Sequence, residues 1–238
     1  MDPRGPERWA VYFAPPADHP LWHIGCAWLG RDPEGGRELV RPACALDPDT
    51  IAVVTAGPAR YGFHATLKPP FVLAPGRDAE ALADAVRVLA ARHAPFAAPT
   101  VAPTVIGGFR ALTFTAPCPA MEALAAACVR DLDPFRAPPT EAELASRRAA
   151  GLSQRQSDLL TRWGYPYVLE EFRFHMTLTE RLDGAMVDAA IVDDAVDALF
   201  GAFATVALPV RDLALYRQPD RAAPFRLVTR FPLTGQSR

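Results

Sequence analysis

The chain has 238 residues, 50% of them hydrophobic and 22% charged, with a formal net charge of -2. That is an ordinary globular composition, long enough to bury a substantial core without disulfides, and it carries no signature of disorder. The near-neutral balance argues against a protein that wraps a long nucleic acid, which needs a basic surface to neutralise phosphates, but leaves room for a small anionic ligand.

In chain order, the opening "MDPRGPERWAVYF" puts charge and proline where a signal peptide needs an apolar run. No stretch approaches the roughly eighteen consecutive apolar residues of a membrane span, so the expectation is a soluble, cytoplasmic protein. The four cysteines, Cys26, Cys44, Cys118 and Cys128, form no CxxC pair, which fits reduced thiols and makes a structural zinc improbable. The first strand carries Tyr12. "HPLWH" then spaces His19 and His23 four apart, as on one helix face, yet offers no third metal ligand, so the default is a helix-start or surface role.

In "RYGFHATLKPPF" the residues Tyr61, Phe63, Ala65 and Leu67 alternate with Gly62, His64, Thr66 and Lys68, a period-2 strand. "RDAEALADAVRVLAARHA" follows as a helix with Leu82, Val86 and Leu89 on one stripe, then strand-like "TVIGGF" and "ALTFTA". A second helix, "AMEALAAACVRDL", buries Met121, Leu124, Cys128 and Leu132. Arg136, in "DPFRAPP", either reaches a cleft or covers a turn.

The polar stretch from Thr140 to Trp163 carries Arg147, Arg148, Arg155 and Arg162. It reads either as a solvated helix pair packed on one lobe or as a lid-like insertion holding a ligand's distal phosphate. After Tyr165 comes "EEFRFHMTLT", in which Phe172, Phe174, Met176 and Leu178 alternate with Glu171, Arg173, His175, Thr177 and Thr179. "DGAMVDAAIVDDAVDALF" is a helix with Val187, Ile191, Val196 and Leu199 on a looser stripe, followed by strands "VRDLALY" and "FRLVTRF".

"FHATL" and "FHMTL" are near copies, and each is followed by helix, strand, strand. Five histidines in the whole chain make such a repeat a poor candidate for chance. The simplest reading is a duplicated unit giving one bilobal domain over residues 1–238, with the two motif strands lining the cleft. Its parts are a first motif element over about 60–116, a helical insertion over about 119–163 and a second motif element over about 166–233.

Side chains at i and i+2 point the same way from a strand, so the His and Thr of each motif share one chemical face, with Lys68 beside one pair and Arg173 beside the other. Phosphodiester cleavage needs a base, an acid and donors for the nonbridging oxygens. Two facing histidines supply the first two near neutral pH, and the threonine hydroxyls supply donors, with no metal or other cofactor. Tyr12 and Tyr165 stack on a base, bond a phosphate through their hydroxyls, or simply pack in the core.

These residues resemble the two-histidine (2H) phosphoesterase superfamily, whose signature is a pair of His-x-Thr/Ser motifs; the matching positions are His64 with Thr66 and His175 with Thr177. More narrowly, "RYGFHATLKPPF", "RWGYPYVLEEFRFHMTLT" and "AVYFAPPADHPLW" are similar to a branch of bacterial proteins often encoded beside phosphonate-degradation genes. The resemblance implies an α+β, bilobal duplicated fold, with two antiparallel sheets flanking a central cleft and helices on the outside. It also implies metal-independent opening of a small cyclic phosphate of a sugar or nucleotide, the histidines acting as base and acid. RNA-end processing or ligase-like activity, and ligand binding with little catalysis, are the alternatives.

Overall fold

The computed structural model describes residues 5–149, 151–183 and 187–236. Strand β1 (Arg8–Phe13) is followed by helix α1 (Pro20–Trp28), a hairpin of β2 (Arg31–Asp32) and β3 (Arg37–Glu38), and short helices α2 (Pro48–Val54) and α3 (Ala56–Tyr61). The first motif strand is β4 (Ala65–Phe71), and after it come α4 (Ala79–Ala91), β5 (Phe96–Ala98), β6 (Val101–Ile106) and β7 (Phe109–Phe114). Helices α5 (Pro119–Asp131), α6 (Glu141–Arg148) and α7 (Gln154–Trp163) lead to the second motif strand, β8 (Met176–Thr177). The chain closes with α8 (Ala189–Phe200), β9 (Leu208–Val210), β10 (Asp212–Gln218) and β11 (Arg226–Pro232).

Local chemistry sets the helix ends. His19 is the N-cap of α1, its Nδ1 accepting from the Leu21 amide at 3.1 Å with Pro20 as the first helical residue, the helix-start role expected for it. Capping boxes, Thr140 with Glu143 and Ser153 with Gln156, open α6 and α7, and Gly164 at φ +75° closes α7. The stripes of α4 and α5 are buried as their spacing predicts. The stripe of α8 is rotated: Val192, Val196 and Phe200 are buried and Ile191 is exposed. Phe200, packed edge-on to Trp28 with ring centroids 6.1 Å apart, turns that face inward. The expected start of this helix at "DGAM" falls partly on residues 184–186, outside the described residues.

Seven strands form one sheet in the order β11-β10-β1-β4-β8-β7-β6. The two motif strands are therefore neighbours in a single sheet, where two sheets flanking a cleft were expected. Antiparallel pairing satisfies strand edges that would otherwise carry unpaired backbone groups inside the molecule. The halves are also interlaced. β6 and β7, which follow the first motif, lie beside the second, while β10 and β11, which follow the second, reach the first through β1. α4 packs on β10 and β11, and α8 on β6. β5 and β9 pair with each other, Ala97 opposite Pro209.

One register row explains the core. Phe13, Ala65, Met176 and Leu112 lie side by side across β1, β4, β8 and β7, and all are buried on one face. α4 and α5 cover that side, and each large apolar side chain removed from water there contributes about 1.5–3 kcal/mol. Alternation sends the residues next to that row to the opposite face. Among the described residues no helix is long and apolar enough to cross a membrane.

Candidate active site

His64 is positioned from both sides of its own backbone. Gly62, at φ +82°, turns the chain out of α3, a conformation side-chain-bearing residues rarely adopt, and a Cβ there would also stand 2.9 Å from Pro33. Phe63 is fully buried, with its ring 6.5 Å from that of Phe200 and so close to Gly25 of α1 that a Cβ at Gly25 would clash with it. Between these anchors His64 Nδ1 donates to the Gly62 carbonyl at 2.8 Å. A carbonyl only accepts, so Nδ1 carries the proton and Nε2 is the unprotonated nitrogen of the neutral ring. Nε2 lies 3.1 Å from Thr66 Oγ1.

The Tyr12 ring stacks on His64, centroids 3.7 Å apart. Burial lowers the His64 pKa to about 4; the Gly62 carbonyl opposes that shift, and charge on His175 adds to it. His64 is therefore neutral at neutral pH.

The second motif repeats the device. His175 Nδ1 donates to the Arg173 carbonyl at 2.8 Å, which again ties Nδ1 and not Nε2 to the backbone. Ala65 pairs with Met176 in antiparallel register. By alternation that register puts Thr177 across from His64 and His175 across from Thr66, all four on the face opposite the buried row. The charge on His175 reaches His64, so the two imidazoles and two hydroxyls face one small area of the sheet. A cavity of about 430 Å³ opens beside them, lined by Thr66 and His175 of the four, with Arg173, Phe109, Tyr165 and Tyr167, while His64 and Thr177 lie off its wall. Leu169, also on its wall, is the one non-glycine with positive φ (56°) among the described residues.

The remaining expected contacts divide. Arg173 and Tyr165 line the cavity. Tyr12 is fully buried, a floor beneath His64 with its hydroxyl enclosed. Lys68 leaves the site altogether. The β1–β4 register sets Thr66 opposite Tyr12 but Lys68 opposite Val11, a one-residue slip that breaks the i, i+2 parity and turns Lys68 to the helix-covered face. There its ammonium donates to the Val129 carbonyl of α5 at 3.1 Å and stands 3.9 Å from Asp133, while burial lowers its pKa to about 8. Arg136 is a strut, donating to Asp133 at 2.8 Å and to the Arg162 carbonyl at 3.1 Å.

Two nearby residues escape motif reading: Tyr61, whose ring centroid is 6.3 Å from that of His64, and Arg8, which lies over Phe225 and senses the charge of Tyr61 and Tyr12; Arg147, from the polar stretch read as holding a distal phosphate, lies over Tyr165. They come from separate segments and share no spacing signal. Among the described residues no three His, Cys, Asp or Glu side chains are grouped to hold a metal ion.

Comparison with known proteins gives the following. The family described as "Protein of unknown function (DUF1045)" matches residues 66–226. Two curated bacterial proteins, from Janthinobacterium sp. (strain Marseille) and Laribacter hongkongensis (strain HLHK9), are each 40% identical, over 96% and 92% of this chain. Both are named ribose 1,5-bisphosphate phosphokinase PhnN, and the match covers 51% and 50% of their lengths, so the chain spans about half of each relative. Among solved structures, E. coli LigT complexed with 3'-AMP is 17% identical, with 96% of this chain and 99% of that one covered and a TM-score of 0.43. TT0787 of Thermus thermophilus is 16% identical, with coverage of 97% and 100% and a TM-score of 0.47. The sequence match over 66–226, which begins at Thr66 and takes in the whole second motif, places this chain in the DUF1045 family.

Proposed function

We propose that the chain is a phosphoric diester hydrolase that opens a small cyclic phosphate with its paired histidines and without a metal. The observation that carries this reading is the Ala65–Met176 register, which gathers two His-x-Thr pairs on one face, each imidazole with Nδ1 tied to a carbonyl and Nε2 left for chemistry. His64, held neutral, takes a proton from water on Nε2 as the water oxygen bonds to phosphorus. The ring P–O bond breaks, and the leaving oxygen receives the proton on Nε2 of His175. Thr66 and Thr177 donate to the nonbridging oxygens, whose charge grows in the transition state. The product is a phosphomonoester, and proton exchange with solvent restores the two imidazoles.

The relatives' name joins this half to a ribose phosphate enzyme, so a ribose cyclic phosphate heads the substrates to be tested. Their kinase naming is read as belonging to the half this chain does not match. The P-loop run, GxxxxGK followed by Ser or Thr, is absent here, and the only lysine, Lys68, is followed by proline.

The test is hydrolysis of ribose cyclic phosphates, 2',3'-cyclic nucleotides and 2'-5' linked dinucleotides in EDTA, by the native protein, His64→Ala and His175→Ala. Turnover that survives chelation and falls by about a hundredfold or more in each variant supports the reading. Loss on chelation, full activity in either variant, or inertness toward the whole panel overturns it. A 2'-5' dinucleotide as best substrate would move the activity to RNA ends.

A further inference from the structure

α6 buries no residue, yet capping boxes open both it and α7, and it is held against the body by side chains that converge on a recess. That recess, of about 60 Å³, is lined by Arg8, Arg136, Arg147 and Arg221, with Glu143 as its one carboxylate and Pro70, Pro138 and Pro139 as stiff walls. Two of the guanidiniums are balanced: Arg221 donates to Glu143 at 2.8 Å and Arg136 to Asp133 at 2.8 Å. The other two have only neutral partners among the described residues. Arg8 holds the Gln218 amide oxygen at 2.8 and 2.5 Å and lies 5.3 Å over Phe225, and Arg147 lies 4.7 Å over the Tyr165 ring. Burial and the neighbouring charge of Arg221 both lower the Arg8 pKa, as expected where cations are gathered close together.

The recess adjoins the paired histidines. Tyr165 lines the cavity that holds His175 and carries Arg147 above its ring; Pro69 lines that cavity and Pro70 the recess. Arg8 precedes Tyr12 by four residues on the same face of β1, roughly 13 Å along the strand before its long side chain is counted. A sugar bearing phosphates at two of its carbons has one group for the histidines and one for the recess, with the long Arg8 side chain reaching between them. Planar guanidiniums recognise phosphate by paired N–H donation.

We propose that Arg8, Arg136, Arg147 and Arg221 form an anion subsite that holds a second phosphate of the substrate, remote from the one that reacts. The substrate class is then a small cyclic phosphate carrying an additional phosphomonoester, and α6 exists to present Arg147 to it. The assignment of substrate class rests on the phosphodiesterase reading; the subsite itself is testable without it.

The first measurement is calorimetric binding of ribose 5-phosphate at low salt to the His64→Ala/His175→Ala protein, with and without Arg8→Gln or Arg147→Gln. Ribose is the control, and melting curves verify folding. Binding that needs the phosphate and weakens about tenfold or more for each guanidinium removed is expected. Equal binding with and without the arginine changes, or none to the parent, overturns the subsite. The second is the kcat/KM ratio between adenosine 2',3'-cyclic phosphate with and without a 5'-phosphate. The native protein should prefer the doubly phosphorylated compound by at least tenfold, and the ratio should fall toward one in Arg147→Gln, each variant serving as its own folding control. Turnover without that preference overturns the substrate class. Inertness toward both compounds sinks the phosphodiesterase reading instead, and the binding measurement still decides the subsite.

Discussion

His64 lies nearly flat on Tyr12, ring planes 24° apart, while the Tyr12 hydroxyl is buried without a hydrogen-bond partner among the described residues. The ring and the hydroxyl therefore do different things. The ring excludes water from one face of the imidazole and holds it in place; the hydroxyl is an uncompensated desolvation cost. Tyr12→Phe is expected to keep kcat/KM within about threefold and to raise stability by about 1 kcal/mol. Tyr12→Ala is expected to lower kcat and to move the acid limb of the pH profile up toward the ordinary histidine range, because His64 regains water. If Tyr12→Phe alone abolishes activity, the hydroxyl contacts substrate and the floor assignment fails.

The depressed pKa of His64 gives stability a pH dependence of known sign. Unfolded, the residue titrates near 6.5; folded, at about 4. Between those values the unfolded chain binds more protons, so stability is fully present above about pH 6.5 and is lost as pH falls toward 4. The loss from this residue is at most about 3 kcal/mol. Urea titrations of native protein and His64→Gln across pH 4–7 should show a shallower slope in the variant. The native kcat/KM should hold its value well below pH 6.5 before its acid limb falls. Matching slopes for the two proteins would show that His64 is not buried as described.

Gly25 is expected to be intolerant of any side chain. A Cβ there meets the buried Phe63 ring, and Phe63 has Phe200 behind it, so it cannot retreat. Gly25→Ala should cost about 1–3 kcal/mol and displace His64, which follows Phe63 directly. The check is a thermal melt beside kcat at a temperature where the variant is folded. A stable variant with full kcat would show that Phe63 does not fix the imidazole.

Lys68 separates motif reading from structure. Flanking the first His-x-Thr, it looks like a phosphate ligand; turned to the helix-covered face, it is a buried ammonium. Lys68→Met is expected to leave kcat/KM within about twofold and to act on stability alone. Because the folded pKa of Lys68, about 8, lies below its unfolded value of 10.5, the native lysine gains stability as pH rises from 8 to 10.5, and Lys68→Met should lack that rise. A tenfold loss of kcat/KM at unchanged stability would return Lys68 to the site.

The repeated His-x-Thr, the alternation around it, the stripes of α4 and α5 and the capping residues of α6 and α7 are written in short runs of the chain. Each is enforced by neighbours within a few residues, and so each could be read before any contact was known. What lies beyond that range was set by pairing. Hydrogen-bonding β4 to β8 merged the expected two sheets into one and interlaced the halves. The slip at Val11 and Tyr12 removed Lys68 from the chemical face, although its spacing from Thr66 had placed it there. His64 is stacked on a tyrosine more than fifty residues earlier in the chain, and the arginine recess gathers four side chains from four separate segments. Alternation fixes which way a side chain points only while the ladder stays in register; register, burial and charge clustering are properties of the assembled sheet, and they decided which of the motif's neighbours face the cavity.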